Sequence, residues 1–323
     1  MRKLVQNIVA GSRLTLPVTI VYTVAVWLLC GLITRNATPH SDQWSENLWL
    51  PFVCFGISSY LMMVLNNQNA LIRIFSRLVS CAFLVLSCAA CFLLPDIRGN
   101  IMQMFVVAAY LLLFQSYQNR EAVGIVYYGF LMIGLASLAT PHILYFLPLL
   151  WLLMATNLLS ISWRTWLASL LGLLTPYWFI CAWLAYQADF TPLATHFAPL
   201  ADFEFPISYS LLSRGVLMTW GLLAVCTIIG IIHFIRKSSY DSIRIRLLYG
   251  FFIWMNLFAF ALMCFQPQHY DMLLRIMIIN TSPLIAHYLA LTSTKITNAV
   301  FYVLTAIILF ITAYNIWNTL YPF

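Results

Sequence analysis

Charge is scarce in this sequence, and acid is scarcest of all. Of 323 residues, 16 are Lys or Arg and nine are Asp or Glu, 8% together, against roughly a quarter in soluble domains. With 63% hydrophobic residues and a mean hydropathy of +0.90, this excludes a water-soluble globular body. Polar stretches long enough for a separate soluble domain are also missing. Spans of roughly 20 residues with short connectors fill the length with ten to twelve helices, so residues 1–323 read as a single integral membrane domain. Cysteine is lacking from every loop: Cys30, Cys54, Cys81, Cys88, Cys91, Cys181, Cys226 and Cys264 all lie in apolar runs, which argues against a disulfide framework. The basic residues form no patch or arginine-rich stripe, so the formal charge of +7 does not indicate a nucleic-acid partner. The first apolar run, from Leu14 behind Arg2, Lys3 and Arg13, ends at Cys30-Gly31-Leu32-Ile33-Thr34 without an A-x-A-like cleavage site. It reads as an uncleaved first span.

Long apolar runs are abundant. They fall at 14–34, 49–65, 78–94, 101–115, 122–139, 141–159, 166–186, 210–235, 247–265, 273–293 and 298–319. A backbone in lipid must satisfy its own hydrogen bonds, so each is expected to be a helix. The fold class is all-α, a polytopic transmembrane bundle of about eleven spans. The uncharged stretch from Ala122 to Ser160 is too long for one crossing, and Thr140-Pro141 predicts a tight reversal inside it. With a cytoplasmic N-terminus, Arg2, Lys3, Arg13, Arg73, Arg77, Arg120, Arg164, Arg236, Lys237, Arg244, Arg246 and Lys295 fall inside with Glu121 and Asp241. Arg35 and Arg98 fall outside with Asp42, Glu46, Asp96, Asp189, Asp202, Glu204 and Asp271. Removing the reversal at Pro141 would place the basic loop 236–246 outside, against the positive-inside rule. The C-terminus is therefore expected outside.

Two arginines escape this sorting, Arg214 and Arg275, both at the outer ends of spans. The tenth span carries Asp271, Arg275, Asn280, Thr281, Ser282, Pro283 and His287. At about 100° per residue, Asp271, Arg275 and Ser282 lie within roughly 40° of one another, with Asn280 and His287 on a neighbouring stripe. An arginine in a span costs at least about 2.5 kcal/mol unless it snorkels or is partnered, and Asp271 stands at the right helical spacing to partner it. Pro283 frees the carbonyl of Ile279 and kinks the span. The planar forks of Arg214 and Arg275 match phosphate or carboxylate oxygens, so these arginines with Asp271, Asn280 and His287 are candidate substrate-binding residues. The alternative is a polar interhelix contact with no ligand. Asp42 and Glu46, at i, i+4 in the first outer loop, are candidate catalytic carboxylates, as general base or as ligands of a divalent cation. No other cofactor is expected, and no metal site is assigned, because His142, His196 and His269 lack ligand spacing on a helix. Cys88-Ala-Ala-Cys91 matches C-x-x-C but lies among small residues that favour close helix packing. The connector 187–209, rich in Phe and Pro, is expected to rest as an ordered segment at the interface or to act as a lid.

Ser162-Trp-Arg-Thr-Trp-Leu-Ala-Ser-Leu-Leu-Gly-Leu-Leu-Thr-Pro-Tyr-Trp178 and Thr281-Ser-Pro-Leu-Ile-Ala-His-Tyr288 resemble stretches of an uncharacterised family of polytopic inner-membrane proteins of Bacteroidota. The resemblance implies a bacterial inner-membrane location and no particular activity. A more distant likeness is to membrane glycosyltransferases that use polyprenyl-phosphate sugars, which carry an acid in the first outer loop. That likeness implies Asp42 or Glu46 in the acid's role. The expected function is an outer-face polar cavity that handles an anionic or lipid-linked envelope substrate such as a polyprenyl phosphate. The alternatives are a transporter or lipid flippase, and a membrane scaffold without a ligand. Membrane lipids are the expected partners.

Overall fold

The computed structural model describes residues 5–37, 49–202, 209 and 212–320. Among them there are thirteen α-helices and no strand. They are α1 (Val5–Gly11), α2 (Thr15–Ala37), α3 (Trp49–Asn69), α4 (Leu78–Ala89), α5 (Ile97–Gln115), α6 (Val123–Ala139), α7 (Leu147–Thr156), α8 (Trp163–Gln187), α9 (Thr191–Phe197), α10 (Arg214–Lys237), α11 (Ile243–Phe265), α12 (Tyr270–Leu291) and α13 (Lys295–Leu320). The protein is an all-α bundle in which seven helices are long and apolar enough to cross a membrane: α3, α5, α8, α10, α11, α12 and α13. Four further apolar stretches are shorter: Thr15–Gly31, Leu78–Ala89, Val123–Ala139 and Pro141–Thr156. Each of the eleven expected spans thus contains a helix, but at 1.5 Å per residue the twelve residues of α4 fall short of a hydrocarbon core about 30 Å thick.

Several helix starts carry polar side-chain caps. Asp96 accepts from the backbone N–H of Arg98 (3.1 Å) and Gly99 (2.7 Å) to cap α5. Ser213 and Ser242 cap α10 and α11 in the same way, and Ser162 forms a capping box with Thr165 at α8. These bonds satisfy N–H groups that the first helical turn leaves without partners.

Hydrogen bonds between distant segments gather the connectors at two ends. At one end, Gln118 N–H donates to Leu158 O (2.8 Å), Ser162 Oγ to Arg120 O (2.9 Å) and Asn157 Nδ2 to Leu247 O (2.8 Å). Arg244 donates to Asn69 Oδ1 (2.9 Å), and Ser76 Oγ to Ala10 O (2.9 Å). Gln6 Nε2 donates to Leu289 O and Thr292 Oγ1, both at 2.7 Å. Arg73, Arg77, Arg120, Arg164, Arg236, Lys237, Arg244, Arg246 and Lys295 all belong to these connectors or the adjoining helix turns, and we call this the basic end. At the opposite, acidic end, His196 meets Ser137 O (3.1 Å), His142 meets Pro199 O (3.3 Å), Tyr145 Oη donates to Leu200 O (3.0 Å) and Gln268 Nε2 to Asp202 O (3.2 Å).

The expected reversal at Pro141 is present. α6 leaves the basic end, Thr140 is extended, Pro141–Phe146 makes a 3-10 turn, and α7 returns to Leu158 beside Gln118. Part of the connector 187–209 is ordered as α9 and the 3-10 turn Ala198–Leu200, which sit on that reversal through His196, Pro199 and Leu200. Phe203 and Phe205 of the same connector lie outside the described residues.

α12 lies at the centre. An 18-residue window of it is 94% buried, against 17–56% for the other six long helices, and it packs on α10, α11, α4 and α5. The short α1 was not expected as a separate helix; it lies across the basic end of α12 and α13, held by Gln6.

Candidate functional site

The central helix is also one of the most polar. Eighteen of the 22 residues of α12 are buried, among them Arg275, Asn280, Thr281, Ser282 and His287. An ionisable side chain buried in an apolar bundle is retained only when it is partnered, and such groups mark sites by default. The partners divide α12 into three levels.

At the acidic end, the Arg275 side chain is 2% exposed and all five of its N–H donors are engaged. Nε donates to Asp271 Oδ1 (3.4 Å), Nη1 to Asn100 Oδ1 (2.9 Å) and Gln103 Oε1 (3.2 Å), and Nη2 to Asp96 Oδ2 (3.4 Å) and to the carbonyl of Leu93. A guanidinium has five donors and no acceptor, so none is left for a ligand. The expected pairing with Asp271 is present, but the expected offer of Arg275 to an anion meets a group already saturated. Gly99 makes this fit possible, because a Cβ there would collide with the guanidinium and with Asp96 Oδ2.

Arg214 is at the same end, in the first turn of α10, and it is exposed. Among the described residues no carboxylate pairs with it. α10 and α12 are neighbours, with Thr227 Oγ1 and Thr281 Oγ1 at 3.0 Å, yet every partner of Arg275 comes from α5, from the turn before it or from α12 itself. The two arginines therefore do not form a clamp here. Asp42 and Glu46 lie outside the described residues.

The middle level is a neutral network. Asn256 Nδ2 of α11 donates to both Thr227 Oγ1 and Thr281 Oγ1 at 2.9 Å, tying three helices together. Asn280 Nδ2 and Ser282 Oγ donate back to the carbonyls of Ile276 (2.8 Å) and Ile278 (2.5 Å), and Tyr110 of α5 faces Asn280. Beside Pro283, the Tyr249 hydroxyl has two carbonyl acceptors within reach of its single proton, Leu71 O (3.3 Å) and Pro283 O (3.4 Å).

At the basic end, His287 Nε2 lies 3.2 Å from Asp241 Oδ2, whose other oxygen is 2.7 Å from Arg73 Nε. The Asp241 side chain is fully buried and that of His287 is 1% exposed. His233 of α10 lies nearby, its ring centroid 5.3 Å from that of His287 and its plane tilted by 56°. Among the described residues, His287 Nδ1 and His233 Nε2 have no hydrogen-bond partner, and neither have Asn256 Oδ1 at the middle level and Gln103 Nε2 beside Arg275. Buried polar atoms without partners are uncommon and each calls for an explanation.

Arg73, Asp241, His233, Asn256, Thr227, Asn100 and Gln103 were not singled out from the sequence. One signal was present: Asp241 and Glu121 are the only acids in the basic connectors. The C-x-x-C cysteines pack as expected rather than pairing with each other. Cys88 Sγ meets Thr23 Oγ1 at 3.5 Å, Cys91 meets Cys30, and both are buried. The ring centroids of His142 and His269 lie 3.7 Å apart, but among the described residues no group of three or more His, Cys, Asp or Glu is arranged to hold a metal ion.

Comparison with family models, with curated proteins and with solved structures found no match to this chain.

Proposed function

We propose that this protein is a multi-pass transporter of the bacterial inner membrane, threaded eleven times with the N-terminus in the cytoplasm and the C-terminus outside, and that the polar axis of α12 carries its substrate path. The basic end then faces the cytoplasm, as the positive-inside rule requires.

The single observation that carries this reading is α12 itself. The most buried long helix has polar or ionisable groups at both ends and in the middle, and partnerless polar atoms accompany each level. A core helix selected for packing alone would be apolar, because every such group must be desolvated. Pro283, which interrupts the helix ladder near the middle, fits a path in which backbone carbonyls take part. Arg214, exposed and without a carboxylate partner among the described residues, suits the capture of an anionic substrate at the outer mouth. The glycosyltransferase-like reading depends on Asp42 and Glu46, which lie outside the described residues, so the geometry does not carry it.

Thiol accessibility tests the proposal without knowledge of the substrate. Cys181 and Cys264, the two cysteines outside the core, are changed to Ser, and Asn280→Cys is compared with Met277→Cys, both sites being 0% exposed. A transporter that opens along α12 lets a small, membrane-impermeant thiol reagent reach position 280 and spares position 277. Equal inertness of both sites would instead favour a ligand-free scaffold.

A further inference from the structure

Between α1, α2, α4, α10, α12 and α13, toward the basic end, lies a cavity of about 460 Å³, within the range of pockets that enclose a small ligand. Its wall includes Val9, Val18, Ala82, Cys226, Leu289 and Ile308. Of the four hydroxyls in the wall, three donate to nearby backbone carbonyls. Thr15 Oγ1 donates to Val9 O (2.6 Å), Thr19 Oγ1 to Leu16 O (2.9 Å) and Thr305 Oγ1 to Phe301 O (2.8 Å), while Ser12 Oγ accepts from Leu14 N–H (3.1 Å). Apart from the Ser12 hydroxyl, a ligand in this cavity meets hydrocarbon and no free hydroxyl donor, which disfavours water, sugar or a peptide backbone and suits an alkyl chain.

The rim has the opposite character. Arg13 stands between the lining residues Ser12 and Leu14, Arg77 directly precedes the lining residue Leu78, and Lys295 opens α13 six residues before the lining residue Phe301. Among the described residues no carboxylate pairs with any of the three. Asp241, one of only two acids at this end, is already held by Arg73 and His287. The rim therefore has unneutralised positive charge above an apolar chamber.

We infer that this cavity binds one acyl chain of an anionic phospholipid, with the headgroup phosphate at the rim near Arg13, Arg77 and Lys295. The complementarity is that of an amphiphile: a chain too apolar for anything but the wall, and a charge that basic side chains at a membrane surface attract. The inference goes beyond the transport reading and does not depend on it, since the site is off the polar axis of α12.

Native mass spectrometry of the full-length protein, delipidated in detergent and given phosphatidylglycerol or phosphatidylcholine with identical acyl chains, tests it. The expected result is one phosphatidylglycerol retained per chain. Retention should fall about fivefold for each of Arg13→Gln and Lys295→Gln, as expected for one basic group near an anionic surface. Ala82→Phe, which puts a ring into the chamber and leaves less room for a chain, should sharply lower retention of phosphatidylglycerol. Should Ala82→Phe fail to fold, Thr305→Trp on the facing helix provides the same test. Equal retention of the two lipids, retention unaffected by filling the chamber, or a dimer that the filling variant disrupts would each overturn the inference; the last would make a second copy of the chain the occupant.

Discussion

Arg275 shows how a residue can be conspicuous in the sequence and still have its role set elsewhere. Its position in an apolar span was legible because no other charge lies within the buried length of that helix, and Asp271 was legible as a partner because it lies one helical turn away. Asn100 and Gln103 were not legible: they are 175 and 172 residues distant in sequence, and nothing local links an α5 amide to an α12 guanidinium. With all five donors engaged, Arg275 acts as a cross-link between α12, α5 and the turn before it. Arg275→Gln leaves Asp271, Asp96, Asn100 and Gln103 without their common donor and is expected to cost about 3–5 kcal/mol, the range for breaking a buried ion pair, read as a lowered midpoint of unfolding in detergent. Gly99→Ala leaves every charge in place but displaces the guanidinium, and should cost about 1–3 kcal/mol through bonds left unmade. Asp241 was visible only as a charge to be counted. Its burial between Arg73 and His287 predicts that Asp241→Asn destabilises the protein by more than Glu121→Gln, since Glu121 is exposed and has no ion pair among the described residues.

At the scale of elements, the reversal at Pro141 was legible because proline and run length gave the same answer. The lengths of the helices were less so: hydropathy marks α4 as a full span, yet it stops at Ala89 and continues as a 3-10 turn through Cys91–Leu93. The close pairing of α6 with α8 was not read at all, because it depends on backbone approach. A Cβ on Gly172 would strike the carbonyl of Tyr127, and one on Gly134 would meet Leu173 O at 2.7 Å and Pro176 Cγ at 3.1 Å. Small residues at such crossings let helices approach where no hydrophobic force drives them together. Gly172→Leu is therefore expected to separate the two helices. A disulfide engineered across the α6–α8 seam should form in the parent protein and be lost in the variant. Gly124→Leu, where a Cβ meets nothing within 4 Å, should leave that crosslink intact.

At the scale of the whole molecule, the alternating charges anticipate which connectors lie together, and the hydrogen bonds between distant segments gather the same basic connectors at one end. In a chain threaded through a membrane such sorting has a physical cause, because a positive loop resists transfer across the membrane and so remains with its neighbours. The sequence could not reveal that one helix stands at the centre of the others, since centrality depends on packing order and not on the hydropathy of a single span. The threading predicts that a cysteine at Ser239 reacts with an impermeant reagent only from the cytoplasmic side and one at Asp189 only from the outside; the reverse pattern would invert the orientation. The central claim, that water and substrate reach the polar axis of α12, is tested most directly by hydrogen–deuterium exchange of the protein reconstituted in lipid. The account predicts exchange within minutes at the amides of Asn280, Thr281 and Ser282, despite the complete burial of these residues, while the amides of the buried residues Val106, Val107, Ala109 and Tyr110 on α5 stay protected. Protection of residues 280–282 as complete as that of α5 would contradict it and leave α12 a structural core.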